Sequence, residues 1–152
     1  MKKIVLFLSL LILIQNCGFT PVYVSNKNVN FEIKEINFKG NQELNNFINI
    51  GLKRYITKNN QKNSFKISAI TDYNKEIQSK DTKGNAQSFK VKGSVTFIVT
   101  GNNKKFNFIY SEQADINNIE DTFELNSYES SIKQNFASSM VDKFILDLSN
   151  KQ

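Results

Sequence analysis

From Phe89 to Val99 the chain keeps a period of two. Phe89, Val91, Gly93, Val95, Phe97 and Val99 share one parity, while Lys90, Lys92, Ser94 and Thr96 take the other. Side chains alternate across a strand, so this pattern predicts a strand with one buried face. Such a strand cannot bury that face alone and needs sheet neighbours and a second layer above them. One neighbour follows directly. Gly101-Asn102-Asn103 makes a turn, and Phe106, Phe108 and Tyr110 resume the alternation as an antiparallel partner. Another precedes it: Phe65, Ile67 and Ala69 alternate with Lys66 and Ser68, and the strand runs on through Tyr73 towards Ile77. The polar, charged loop 80–87, centred on Lys83-Gly84, connects the two. A fourth strand is predicted over 29–38. There Phe31 and Ile33 take one phase and Ile36 and Phe38 the other, so a slip near Lys34 and Glu35 predicts a bulge.

Two helices supply the cover. After Gly40, with Asn41 as N-cap, Leu44, Phe47, Ile48, Leu52, Tyr55 and Ile56 form one apolar stripe. Lys53, Arg54 and Lys58 gather near its C-terminal end, where the helix dipole favours cations. Residues 59–64 read as a polar loop and 117–126 as an acidic connection. Asn126-Ser127-Tyr128-Glu129 resembles a capping box with Asn in place of Ser or Thr. From there Ile132, Phe136, Ala137, Met140, Val141, Phe144, Ile145 and Leu148 form a broad helical face. The order βαβββα predicts an α+β two-layer sandwich: a four-stranded, mostly antiparallel or mixed sheet with two helices packed on one face.

The N-terminus carries a different signal. Lys2 and Lys3 precede an apolar run over residues 4–14, broken only by Ser9. About 11 residues are too few to span a bilayer, which takes roughly 20, but fit the h-region of a secretory signal. Cys17, the only cysteine, follows almost at once, and Leu13-Ile14-Gln15-Asn16-Cys17 resembles a lipobox. Asn16 stands where a small Gly, Ala or Ser is usual. In bacterial lipoproteins that thiol becomes a diacylglycerol thioether after cleavage just before it, and two or three acyl chains anchor stably. An unmodified cysteine in an ordinary signal is the competing reading. The division expected is a signal peptide at 1–16, a lipidated tether at 17–30 containing the only proline, Pro21, and one domain at 31–152.

Cleavage removes Lys2 and Lys3 and none of the fourteen acidic residues, so net charge falls from +6 to +4. That is too mild for a nucleic-acid binder, and Phe89-Lys90-Val91-Lys92 is the pattern of a half-buried strand. No histidine is present, which removes the commonest general base and metal ligand. With the one cysteine at the N-terminus, thiol catalysis and thiolate zinc sites drop out. No phosphate-binding loop, nucleophile elbow or EF-hand spacing occurs. Asp115, Glu120, Asp121 and Glu124 match no calcium-ligand spacing and read as a solvated acidic loop. A two-carboxylate glycosidase is the enzyme reading left, with no cleft to support it. Neither catalysis, a metal nor a cofactor is expected.

Cys17-Gly18-Phe19-Thr20-Pro21-Val22-Tyr23 resembles the mature start of the LPS-assembly lipoprotein family LptE. The alternating strand before Gly101, the next strand ending Tyr110-Ser111, and the closing helix from Tyr128 stand in that family's order. The segment Tyr128-Glu129-Ser130-Ser131-Ile132-Lys133-Gln134-Asn135 resembles the start of its last helix. The resemblance covers nearly all of the mature chain. It implies an outer-membrane lipoprotein, facing periplasm and barrel lumen, that plugs the LptD β-barrel, helps it assemble, and aids delivery of lipopolysaccharide, which it also binds. A basic residue in the loop between the second and third strands is tied to that binding; Lys83 matches it, with Lys80 as neighbour. The family's second basic position has no counterpart, since 122–126 holds no lysine or arginine. By charge alone, Lys104 and Lys105 are alternative lipopolysaccharide contacts, although such residues more often only keep an edge or turn soluble. An auxiliary lipoprotein of another envelope lipid-transport system is the alternative.

Overall fold

β3 (Ala86–Gly101) is the spine of the molecule. In the computed structural model, which describes residues 31–56, 63–101 and 104–151, it pairs on both sides. β2 (Ser64–Lys80) and β4 (Lys104–Asn117) are its antiparallel neighbours, and β1 (Glu32–Gly40) adds to β2 in parallel. The sheet order is β1-β2-β3-β4. A parallel pair needs a crossover, and α1 (Gln42–Leu52) lies within it, followed by a 3₁₀ turn at Lys53–Tyr55. α2 (Thr122–Ser149) closes the chain. The expected βαβββα sandwich is the observed one. Cys17, the signal segment 1–16, the tether 17–30 and Lys58 lie outside the described residues.

The alternation settles which face is covered. Val91, Val95, Phe97 and Val99 are buried beneath the helices with Ile67 and Ala69 of β2. Phe97 stacks on Phe144 of α2 at 4.1 Å between ring centroids, and Phe108 meets the same ring edge-on at 5.6 Å. Leu44, Ile48 and Leu52 of α1 complete the same core. Gly93 is an inward position of β3 without a side chain, and α2 uses the space. A Cβ there would stand 2.9 Å from Phe136 Cδ2.

Two local devices behave as the residues suggest. Asn41 caps α1, its Oδ1 accepting from the Leu44 N–H at 2.9 Å. The β1–β2 register slips between Ile33 and Glu35, placing Lys34 in the expected bulge. Other boundaries differ. α2 starts at Thr122 and not after Asn126: Asp121 is its N-cap, with Oδ1 accepting from the N–H groups of Phe123 at 2.8 Å and Glu124 at 2.9 Å. Glu129, expected to close a capping box, reaches Lys75 at 2.7 Å instead. β4 runs well past its expected end, to Asn117, and β2 goes three residues beyond Ile77, to Lys80, leaving only short connections. The predicted helical stripe breaks at Leu52, where α-helix gives way to the 3₁₀ turn.

Candidate functional site

β1 stops opposite Thr71, and beyond that point the sheet continues as three strands under the first half of α2. This far end carries the β2–β3 turn. There Asp81 Oδ1 accepts from the backbone N–H groups of Lys83 and Asn85, both at 2.8 Å, and Gly84 takes a φ of +88° that other residues rarely adopt. Those donors, that of Asn85 foremost, hold the Asp81 carboxyl below its ordinary range. Lys80 and Lys83 are exposed on this tip. They are not alone there. Asn118 donates through Nδ2 to the Ala86 carbonyl at 2.9 Å, which brings the start of α2, with Glu120, Asp121 and Glu124, to the same end.

Lys104 and Lys105 sit at the opposite end, on the β3–β4 turn. β3 is 16 residues long, so at about 3.3 Å per residue the two tips lie about 50 Å apart. The four lysines therefore cannot form one binding site. Lys80 and Lys83 share one end and Lys104 and Lys105 the other.

Between the tips lies the face of the sheet away from the helices. Among the described residues, no element packs on it. The pairing puts Ile70, Thr96 and Ile109 in one row across β2, β3 and β4, and Ser68, Ile98 and Asn107 in the next. Ile70 is 44% exposed and Ile109 73%. Asp72, Ser94 and Ser111 flank the isoleucines on one side; Lys66, Thr100 and Lys105 flank them on the other. Towards the far tip, Lys90 stands between Glu76 and Asp115. The centre of this face is small, uncharged and partly apolar, with charges confined to its margins. The sequence carried a signal for it: Ile70, Ile98 and Ile109 are apolar residues in the phase otherwise given to polar ones.

The covered face has a charged seam where α1 ends its coverage. Lys133 of α2 pairs with Glu43 of α1 at 2.7 Å and Glu129 at 3.4 Å, while Glu129 takes Lys75 of β2 at 2.7 Å. Lys133 Nζ also lies 4.4 Å from the Tyr73 ring centroid, and Lys75 Nζ 4.5 Å from that of Phe89. The hydrogen bonds from Lys133 and then Ser130 hold the Glu43 carboxyl low. Burial works against ionisation of Glu129, but Lys75 and Lys133 together outweigh it. Every charge is answered, so the seam reads as a clamp joining two helices to a strand. An open groove of about 220 Å³ between α1 and α2 has Phe47, Ile50 and Gly51 on its walls, with Arg54 and Asp142 as its charges. Among the described residues, no cluster of three or more acidic, histidine or cysteine side chains could hold a metal. No described helix is long and apolar enough to cross a membrane.

With this geometry in hand, solved structures provide a comparison. Rare lipoprotein B from Shewanella oneidensis superposes with a TM-score of 0.54 at 13% identity, covering 76% of this chain and 97% of that one. The chain shares its fold. Uncharacterized lipoprotein B from Nitrosomonas europaea gives 0.53 at 10% identity, covering 80% and 86% respectively. A Caulobacter crescentus chain gives 0.52 at 13%, covering 78% and 88%. No protein-family model and no curated protein matches the sequence. At such identities the likeness speaks for architecture: the long β2–β3–β4 meander, the parallel β1 and the two helices on one face.

Proposed function

We propose that the protein is an LptE-like outer-membrane lipoprotein, lipidated at Cys17, that seats inside an LptD-type β-barrel and aids delivery of lipopolysaccharide. The observation that carries this reading is the uncovered sheet face on an elongated, two-layer body. Four strands at about 4.8 Å and one helical layer make a body about 20 Å across and about 50 Å long. The widest outer-membrane barrels leave a lumen that needs such a plug. Rows of Ser, Thr and Asn around exposed isoleucines suit a wall that is neither lipid nor open water, as the mildly apolar centre and polar rim of a protein interface do. The fold shared with solved lipoproteins adds support, as does the cysteine behind an export-type segment.

The role is structural, not catalytic. Lys83, with Lys80, is the lipopolysaccharide contact in this reading, pairing with lipid phosphates as a point charge. The neighbouring carboxylates outnumber these lysines at the tip, so the barrel-plug role stands ahead of direct lipid binding.

Affinity purification of the tagged full-length protein from detergent-solubilised envelopes, with partners identified by mass spectrometry, tests the reading. Recovery of one large outer-membrane barrel in near-equal amount is expected, and Lys83→Glu should then slow lipid delivery without releasing the barrel. Recovery with transporter subunits alone would replace the plug by an auxiliary lipoprotein of another lipid-transport system.

A further inference from the structure

β1 begins at Glu32, paired with Ser64, level with the β3–β4 turn. The 3₁₀ turn after α1 is there too, since Tyr55 stacks on Phe31 at 6.4 Å. α2 runs back from the far tip to the same end; its Phe144 already lies over Phe97 and Phe108. Four chain segments thus converge where the chain leads out towards Cys17. Apart from the Lys66–Glu35 pair at 3.0 Å, the cations at this end among the described residues are Lys34, Lys53, Arg54, Lys104, Lys105 and Lys151, all exposed. The acidic groups near them are Glu32, Asp142, which shares a groove with Arg54, and Asp147, which already accepts from the Tyr110 hydroxyl at 2.7 Å. The opposite tip sets Glu76, Asp81, Asp115, Glu120, Asp121 and Glu124 against fewer lysines. Charge is therefore polarised along the length of the domain.

Part of the positive end answers the C-terminal dipoles of the two helices. Lys104 and Lys105 do not, because they sit on a strand turn. Ile56, 43% exposed, and the half-buried Tyr55, with the Arg54 guanidinium 5.7 Å from its ring centroid, add an aromatic and an aliphatic group beside the cations. Cations ringing such a pair are what a headgroup layer accepts.

We propose that this basic end is a docking surface for an anionic phospholipid bilayer, which holds the domain on the membrane, its far tip about 50 Å away, before a barrel takes it up. Two arguments select that occupant. The first is charge complementarity. The second is reach: even fully extended, residues 17–31 span no more than about 50 Å, so a lipid on Cys17 holds this end within about that distance of the membrane. A single tether does not orient a body. Several cations within a Debye length of about 8 Å of a negative surface do. The orientation rests on the lipidated reading given above, whereas the surface itself is testable without the lipid.

The test uses residues 17–152 carrying Cys17→Ser, sedimented with vesicles of phosphatidylcholine alone or containing roughly 30% phosphatidylglycerol. Binding is expected to the anionic vesicles only and to disappear at high salt. Lys104→Ala with Lys105→Ala should weaken it roughly 10- to 30-fold, while Lys80→Ala with Lys83→Ala should change it less than about twofold. Equal binding to neutral vesicles, equal loss from both lysine pairs, or no sedimentation at all would overturn the proposal. So would a Lys104/Lys105 effect confined to capture of lipopolysaccharide. Failure here leaves barrel recovery untouched, and vesicle binding without a barrel would separate the two readings the other way.

Discussion

Gly40 ends β1 at a φ of +98° with its back against Thr71, and a Cβ there would lie far inside van der Waals contact distance of the Thr71 carbonyl oxygen. The strand must turn at once into α1, and only glycine permits both the dihedral and the approach. Thr71 secures the corner from beneath, donating its buried hydroxyl to Asn45 Oδ1 at 2.7 Å. Gly40→Ala should cost more than about 3 kcal/mol, combining left-handed strain with a backbone clash. Urea unfolding measures this, and a loss below about 1 kcal/mol would show that the corner can relax. Two tyrosines make a contrasting pair. Tyr73 Oη is buried with no hydrogen-bond partner among the described residues, whereas Tyr110 donates to Asp147. Tyr73→Phe is therefore expected to stay within about 0.5 kcal/mol of the parent, and Tyr110→Phe to lose about 1 kcal/mol. Reversal of that order in the same unfolding experiment would mean that Tyr73 has a partner.

The helix boundaries show how one polar residue decides an element. Asp121 satisfies two orphan N–H groups at the start of α2 and places a negative charge at the positive end of its dipole. Asp121→Ala should lower stability by about 1 kcal/mol, and Asn126→Ala, inside the helix and exposed, by less than about 0.5 kcal/mol. Thermal unfolding of the two variants discriminates the observed start from a start at Asn126. The earlier start escapes a reading by apolar stripe because Phe123, in the first turn, is 81% exposed and contributes nothing to the core. The long reach of β4 escapes it for a related reason, whereas that of β2 as far as Ile77 was expected. Past the cover of α1, the inward positions hold Lys75 and Glu112, which break the alternation. They are tolerated because α2 answers them, Glu129 taking Lys75 and Lys143 taking Glu112 at 2.6 Å.

These answered charges make the whole fold sensitive to acid. Glu43, Glu112 and Glu129 each sit below the ordinary glutamate value of 4.5. Groups of this kind stabilise the folded state above their unfolded pKa, and the contribution is lost as pH falls through the folded one. Stability should therefore be level from neutral pH to about 5 and fall below about 4.5. Tyr73 and Tyr110 act at the other limit. Burial first, then Glu129 and Asp147 respectively, raise both above the ordinary value of 10.0. Both favour the fold in their neutral form, so their contribution is present below pH 10 and fades as pH rises further. The urea midpoint measured across pH is the check. A midpoint that climbs on acidification below pH 4.5 would show that the seam contributes nothing.

The sequence by itself determined what short-range chemistry can express. The period of β3 set its buried face, Asn41 its helix cap, the phase slip at Lys34 the bulge, and the element order the two-layer sandwich. These signals are local, carried by residues within a turn or a few positions of one another. Only the tertiary structure decided the parallel placement of β1, the answering of Lys75 and Glu112, and the separation of Lys83 from Lys104 by the length of β3. It also decided that Ile70, Ile98 and Ile109 meet on one open face. Each of these depends on which distant segment lies opposite, and a strand's own pattern says which side is buried but not what stands across from it.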